Sequence, residues 1–286
     1  MTKIHKSDKP NLGTCAICGK YGRLTFEHIP PRSAGNKHPV RMMTLDKFIR
    51  ESNVNPNIQL DDPHKSSRLN RGSGMFSLCE KCNNTTGSLY GQEYKRVAAA
   101  FFQFIANENP QHGEAYTIQL TMHPAQFIRQ VISMFMSVDN SSDIRDFQSY
   151  LLDKDKPAYV LPNMRITMFI SIGSTMRLGG PFGAMSFNDN STSVGSLATE
   201  IITRPLGFTM FRNVDKYQKG FGCDITEMLK FSYNDEIQLT LTLPVVNLYG
   251  NFPLDYRTKD EFQNHKPALL HTLDSFFISK DAGMQK

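Results

Sequence analysis

The chain has 286 residues, of which 40% are hydrophobic and 21% are charged. These values are typical of a folded globular protein with a sizeable core, and they exclude an intrinsically disordered chain. The polar, basic start lacks the apolar run of a secretory signal, and the longest apolar-rich stretch, Val97 to Ala106, is too short to span a bilayer. We therefore expect a cytoplasmic protein without a membrane partner.

Positive charge is concentrated in the N-terminal third of the chain. Residues 1–96 contain 16 Lys and Arg residues against 8 Asp and Glu, whereas residues 97–286 contain 16 against 19. A basic region favours a polyanionic partner, because counterions released from phosphates drive the association. A solvated basic surface without a partner is the alternative that charge alone leaves open.

The first elements are short and interrupted by turns. We expect residues 1–13 to form a disordered arm, followed by a β-prone run over 23–26 that leads into Glu27-His28. The Pro30-Pro31 pair then ends the strand, since proline removes a backbone donor and fixes its own φ. The Gly72-Ser-Gly74 sequence predicts a turn before a second short strand over 75–78.

A helix is expected after the second strand. Residues 83–86 are Asn and Thr, which offer side-chain oxygens for a helix start, and a helix is predicted through 90–105. Its last part, residues 97–105, is nearly all apolar, which predicts burial on all sides.

The remaining residues predict a mixture of helix and strand. Residues 124–138 carry apolar side chains at helical spacing, which favours an amphipathic helix, and 144–152 is a shorter candidate. Strands are predicted over residues 164–172, 185–187, 199–203, 206–211 and 237–246. The overall fold class is therefore α+β. We expect an arm over 1–13, a compact module over 14–107, and an α+β accessory domain of unassigned fold and role over 108–286.

Two Cys-x-x-Cys pairs, Cys15/Cys18 and Cys79/Cys82, give the most specific signal in the sequence. They are separated by 60 residues. Four thiolates form a complete tetrahedral shell for Zn²⁺ and leave no open position for a water, so the predicted zinc is structural. A redox dithiol is the alternative, but it is typical of a single such motif beside a βαβ pattern. The fifth cysteine, Cys223, is interpreted as a small buried hydrophobe.

Glu27-His28 is the next candidate. A histidine at a strand end can accept a proton from water near neutral pH, and a carboxylate can bind a hard cation such as Mg²⁺ or Mn²⁺. Alternation along a strand would separate the two side chains, although a strand end bent by two prolines need not keep that alternation. An ordinary surface Glu beside a partly exposed His is the alternative.

The order of these motifs resembles the HNH endonucleases of the ββα-metal (His-Me finger) class. The matching residues are Cys-x-x-Cys, then Glu27-His-Ile-Pro-Pro31, then Cys-x-x-Cys-Asn-Asn leading into a helix, within residues 12–105. The resemblance implies that His28 is the general base and that Glu27 and Asn83 bind a catalytic Mg²⁺ or Mn²⁺, with Asn84 as the second candidate. The group that orients the histidine is left open between Asn70 and a backbone carbonyl.

The function that this resemblance implies is metal-dependent hydrolysis of phosphodiester bonds in nucleic acid, with DNA favoured over RNA. Arg32 and Lys81 are candidate phosphate contacts, although the usual exposure of basic residues favours a solvated surface charge for each. By analogy, a basic nuclease module joined to a larger domain fits a restriction or phage-defence effector. Whether the chain forms a homo-oligomer is left open.

A non-catalytic zinc module of treble-clef-like fold, binding nucleic acid or protein, is the alternative function. It shares the zinc site and the basic charge with the nuclease. The two hypotheses differ in Glu27, His28 and Asn83, because a binding module has no need of that set.

Overall fold

The computed structural model describes residues 11–44, 47, 50, 66–139, 141, 143–157, 164–187, 193–212, 221–249, 253–257 and 259–264. Both helices and extended sheets are present, which confirms the predicted α+β class. No helix in these residues is long and apolar enough to span a membrane.

A small antiparallel sheet and a long helix make up the N-terminal region. The sheet has the order β1-β2-β5, and it consists of β1 (Leu12–Thr14), β2 (Tyr21–His28) and β5 (Gly74–Cys79). The strands β3 (Val40–Met42) and β4 (Ser67–Leu69) pair separately with each other. Helix α1 (Glu80–Glu108) follows β5 without a loop. The predicted strand–strand–helix order of this region is therefore present.

Three predictions for this region need correction. Residues 12 and 13 belong to β1 and not to a disordered arm, while residues 1–10 of that arm lie outside the described residues. Helix α1 begins at Glu80, before the predicted start, so Cys82 lies in its first turn. The apolar stretch 97–105 is not buried on all sides, since Ala99 and Gln103 are exposed. Only the face of α1 that packs against α2 (Pro124–Val138) and the sheets is covered.

The C-terminal region is built on a seven-stranded sheet of order β6-β12-β7-β10-β9-β8, with β11 beside β7. Strands β12 and β7 are parallel, and the other pairs are antiparallel. The strands are β6 (Ala115–Met122), β7 (Arg165–Ser171), β8 (Arg177–Phe187), β9 (Ser193–Ile202), β10 (Leu206–Arg212), β11 (Cys223–Asp224) and β12 (Ile237–Val246). Short helical segments are Arg32–Ala34, Asp143–Phe147, α3 (Gln148–Leu152), Thr226–Lys230 and α4 (Lys259–Gln263).

Helix α2 occupies the centre of the molecule. Its bounds agree with the prediction. The helix does not bury a single apolar face as an amphipathic helix would, because 13 of its 15 residues are buried. It contacts α1, β5, β8 and β9, and these neighbours cover it on several sides. One continuous hydrophobic cluster includes Ile17 and Leu78 from the N-terminal region and Phe127 and Leu241 from the C-terminal region. The predicted boundary at residue 107 coincides with the end of α1, and the division into separate domains stays a prediction.

Candidate metal centre and catalytic site

The four cysteines of the two Cys-x-x-Cys pairs come together in one cluster. Their sulfur atoms all lie within 4.8 Å of one another, and the Cys18 and Cys79 sulfurs are 3.8 Å apart. The first pair lies in the turn between β1 and β2, and the second pair spans the junction of β5 and α1. A backbone hydrogen bond from Ala16 N–H to the Ser77 carbonyl, 2.9 Å long, holds the two segments together.

This cluster could bind a metal ion such as Zn²⁺. Tetrahedral coordination with Zn–S bonds of about 2.3 Å requires sulfurs about 3.8 Å apart, and the Cys18–Cys79 separation agrees with that value. All four cysteines are free of disulfide bonds. A hydrogen bond from the Cys82 thiol lowers the pKa of Cys15 to about 4, while the same contact raises the pKa of Cys82. Cys223 lies outside the cluster and is fully buried, as the sequence predicts.

Strand β2 extends through Glu27 and His28 and keeps its alternation up to His28. The rings of Phe26 and His28 lie 5.0 Å apart on one face, whereas Glu27 is buried on the other. The bend that Pro30 and Pro31 impose therefore begins after the histidine and not before it. As a result, the carboxylate and the imidazole approach the end of the strand from opposite faces.

The Glu27 side chain is buried, and its carboxyl group has no partner among the described residues. Glu27 is only 6% exposed. Among the residues that the structure describes, none forms a hydrogen bond or an ion pair with its carboxylate. Burial raises the pKa of Glu27 from 4.5 to about 8. A buried carboxylate is costly unless a proton or a cation neutralises it, and with this pKa the carboxyl group holds a proton at physiological pH when no cation is bound.

Asn83 lies on the Glu27 side of β2. Its amide nitrogen donates to Thr25 Oγ at 3.0 Å and to the Phe26 carbonyl at 3.5 Å. Thr25 and Glu27 are two positions apart in β2 and therefore share a face. Within the described part of the chain, the Asn83 side-chain oxygen accepts no hydrogen bond, so it is available as a ligand. Asn84 is exposed, and of the two candidates Asn83 alone contacts β2.

A backbone carbonyl contacts the His28 imidazole. Its Nε2 lies 3.0 Å from the Arg71 carbonyl, which can only accept, so Nε2 carries the proton in the neutral ring. Nδ1 is then the atom that can accept a proton, and no described residue bonds to it. Burial lowers the pKa of His28, and the positive charges of Arg32 and Arg71 lower it further. The imidazole is therefore neutral at physiological pH, as a general base must be. Asn70, the other candidate for orienting His28, is exposed.

Asn36 is a structural residue of this site that the sequence alone does not reveal. Its side chain is buried; it donates to the carbonyls of Pro30 and Ser73, both at 2.7 Å, and accepts from Ser73 N–H at 2.8 Å. These bonds join the loop after β2 to the loop before β5. Gly72 permits the approach, because at its φ of 96° a Cβ atom would lie 2.5 Å from the Asn36 carbonyl oxygen. The carbonyl that holds His28 is thereby fixed in place.

Arg71 is the second residue that sequence reasoning missed. It is exposed, and its guanidinium lies 5.1 Å from the centroid of the Phe26 ring and 6.0 Å from that of Phe76. Of the two basic residues proposed from sequence, Arg32 lies near enough to His28 to affect its pKa. Lys81 is exposed in the first turn of α1, and no contact between Lys81 and His28 is found in the described part of the chain.

Comparisons with protein-family models, with curated proteins and with solved structures found no match. The chemistry of the site must therefore be inferred from its own residues. These are a cluster of four cysteines, a buried glutamate and an asparagine on the same side of β2, and a neutral histidine near two arginines.

Proposed function

We propose that the chain is a metal-dependent endonuclease that hydrolyses phosphodiester bonds in nucleic acid, with DNA as the favoured substrate. The observation that carries this proposal is the Glu27 carboxylate, which is buried and has no partner among the described residues. Glu27 and the side-chain oxygen of Asn83 offer two oxygen ligands on one side of β2. Oxygen ligands are those that Mg²⁺ and Mn²⁺ prefer.

His28 is proposed as the general base. Its neutral ring is held through Nε2, which leaves Nδ1 free to take a proton from the attacking water. Removing that proton makes the water a stronger nucleophile toward phosphorus. A divalent cation bound to Glu27 and Asn83 would supply positive charge for the oxygen anions of the transition state. The Arg71 carbonyl orients the ring but does not take part in the reaction.

Arg32 and Arg71 are proposed to bind the phosphates of the substrate. The positive charge of each lowers the pKa of His28, so a phosphate bound to either guanidinium would lie near the base. Across residues 11–44 and 66–82 there are 8 Lys and Arg residues against 2 Glu and no Asp. This excess supports association with a polyanion. Lys81 is a weaker candidate for a phosphate contact, because no contact between Lys81 and the site is found among the described residues.

The metal of the cysteine cluster is proposed to be a structural Zn²⁺. With four sulfur ligands, no position is left for water or substrate. Its role is to fix the end of β5 and the start of α1, and thereby to place Asn83 against β2. The arrangement is one in which the thiolates hold the scaffold and the oxygen ligands bind the catalytic cation.

Nuclease activity is tested with the purified zinc-loaded protein on plasmid DNA and on RNA, with Mg²⁺ or Mn²⁺ present. We expect cleavage by the unmutated protein, and loss of at least about 100-fold in rate in His28→Ala, since general-base catalysis contributes that much. His38→Ala is the matched control, and full activity is expected from it. Cleavage that survives in His28→Ala contradicts the assignment of the base. Absence of cleavage with every metal favours the binding module instead.

A further inference from the structure

A cavity of about 390 Å³ lies where the N-terminal sheet meets the end of α2. Leu24, Phe76 and Ser77 line one side of it, and Ser137 and Arg145 line the other. The cavity is thus built from both regions of the chain, and none of the four cysteines lines it.

The cavity lies along the same face of β2 as His28. Leu24, Phe26 and His28 alternate onto one face, and the rings of Phe26 and Phe76 are 5.4 Å apart. Four residues of strand separate Leu24 from His28, a length of about 13 Å. In a duplex-like strand, which advances 3.4 Å per nucleotide, this length corresponds to about four nucleotides. A strand whose cleaved phosphate lies at His28 and that runs along β2 toward Leu24 therefore passes the cavity.

Two buried hydroxyl groups at the cavity lack hydrogen-bond partners. Ser77 is 6% exposed and Ser137 is 1% exposed, and within the described part of the chain neither hydroxyl is bonded. Ser77 is the extra residue of a β-bulge, because Thr25 pairs with Leu78 while Phe26 pairs with Phe76. Unbonded buried hydroxyls are costly, so the two at this cavity are groups whose hydrogen bonds a polar ligand can satisfy.

The charges around the cavity favour an anionic group at its rim. Asp139 lines the cavity, but its carboxylate is already neutralised by Arg212 at 2.6 Å and accepts from Thr199 at 2.6 Å. Arg145 is exposed and has no ion-pair partner among the described residues. A ligand with a flat body, polar edges and a phosphate would match the Phe76 ring, the two serine hydroxyls and Arg145.

We propose that the cavity binds one unpaired nucleotide of the substrate strand, a proposal that rests on the proposed nuclease function. The base packs against Phe76 and Leu24, its edge bonds to the hydroxyls of Ser77 and Ser137, and a phosphate meets Arg145. A base inside a duplex is stacked and its Watson–Crick edge is occupied, so it cannot enter. The preferred substrate is therefore a single strand or a duplex that contains an unpaired nucleotide.

The test measures binding and cleavage separately. Binding of the zinc-loaded full chain, without Mg²⁺ or Mn²⁺, is followed by fluorescence anisotropy for two DNA hairpins. One hairpin is fully paired, and the other carries a single unpaired 2-aminopurine. We expect about tenfold tighter binding of the second hairpin, as one base–aromatic stack can supply. The 2-aminopurine emission should change on binding.

Variants of the cavity identify the site. Ser137→Val removes a hydroxyl and narrows the cavity, so the tenfold preference should disappear. Ser133→Val is the matched control, since Ser133 lies one turn earlier on α2, is equally buried and also lacks a partner among the described residues, but does not line the cavity. Arg145→Gln changes an exposed residue, and we expect about threefold weaker binding of both hairpins. The melting temperature of each variant is measured first.

The outcomes separate the two proposals. Equal binding of both hairpins, or a preference that survives in Ser137→Val, overturns the cavity proposal, even if DNA is cleaved when Mn²⁺ is added. A preference that depends on Ser137, combined with no cleavage under any metal, overturns the nuclease proposal and leaves the nucleotide site in place.

Discussion

The two regions of the molecule neutralise buried negative charge in different ways. In the C-terminal region, buried carboxylates are paired with arginine: Asp139 with Arg212 at 2.6 Å, and Glu200 with Arg177 at 3.3 Å. In the N-terminal region, Glu93 of α1 is paired with Arg96 in the same way, whereas Glu27 is buried and no described residue supplies it with a positive charge. The four cysteines, whose function as ligands requires deprotonation, also lack an internal cation.

The way in which a buried charge is neutralised decides whether that group is available to bind a ligand. A region that neutralises its own charges folds without outside help, and its carboxylates are not free to bind anything. A region that lacks internal cations must take up protons or metal ions from solution. The buried carboxylates of the C-terminal region and Glu93 of α1 are thus neutralised within the chain, whereas Glu27 and the four cysteines depend on protons or metal ions from solution.

Loss of the cysteine-bound metal should have the largest effect. Structural zinc contributes about 10–16 kcal/mol of apparent binding free energy in small zinc modules. We therefore expect Cys79→Ser to lose zinc and to unfold the N-terminal sheet, as seen in amide hydrogen exchange of residues 12–28 and 74–79. In the control Cys223→Ala, elemental analysis should still find one zinc per chain. A folded zinc-free protein would refute the structural metal.

Breaking an internal ion pair should have the next largest effect. Arg212→Met leaves the Asp139 carboxylate buried without its arginine, and loss of one partner of a buried pair costs about 3–5 kcal/mol. Arg165→Met is the matched control, because the Arg165–Asp224 pair is partly exposed and its loss should cost about 1 kcal/mol or less. Urea unfolding measures both. Equal stability of the two variants would mean that the buried pair is not essential.

The unpaired Glu27 should make stability depend on pH in the opposite sense to a paired carboxylate. Its pKa is raised from 4.5 to about 8, so the folded protein holds a proton that the unfolded chain releases. This stabilising contribution is complete below pH 4.5 and is lost as pH rises through about 8. Without Mg²⁺, the free energy of unfolding should fall by about 1.4 kcal/mol per pH unit in this window.

Glu27→Gln removes this dependence, since an amide does not titrate in that range. At pH 7.5 the zinc-loaded variant should be about 4 kcal/mol more stable than the unmutated protein without Mg²⁺. Mn²⁺ should stabilise the unmutated protein and leave Glu27→Gln unchanged. Urea unfolding at several pH values is the measurement, and identical slopes for the two proteins would show that Glu27 is neutralised in some other way.

The smallest predicted effect distinguishes two neighbouring asparagines. Asn83→Ala should weaken Mn²⁺ binding about tenfold, or about 1.4 kcal/mol, because it removes the oxygen that accompanies Glu27. Asn84→Ala should leave the affinity unchanged, as its side chain is exposed. Mn²⁺ titration calorimetry on zinc-loaded protein decides between them. A larger loss in Asn84→Ala would reverse the assignment.

The features that the sequence could predict depend on local pattern. Strand β12 and helix α2 carry clear periodicity over ten or more residues, and their bounds agree with the prediction. The Cys-x-x-Cys pairs predict the cysteine cluster because four thiolates at this short spacing are typical ligands of a structural zinc. Strand β6 is not among the predicted strands, although Tyr116, Ile118, Leu120 and Met122 alternate with polar residues along it.

The missed parts of the site depend on contacts between distant segments. Asn36 bonds to Ser73, and Arg71 holds His28 across 43 residues. Nothing near Asn36 or Arg71 in the sequence distinguishes them from ordinary loop residues. Likewise, the sequence around Glu27 is typical of a surface residue, and only the fold shows that its side chain is buried without a positively charged partner among the described residues.

The most direct test of this account is Mn²⁺ binding to the zinc-loaded protein, measured by calorimetry and by electron paramagnetic resonance. We predict one Mn²⁺ per chain in the unmutated protein and none in Glu27→Gln, while Glu80→Gln, an exposed acidic residue in the first turn of α1, keeps the site. Mn²⁺ binding that persists in Glu27→Gln, or its absence from the unmutated protein, would contradict the claim that Glu27 is buried in order to bind a cation.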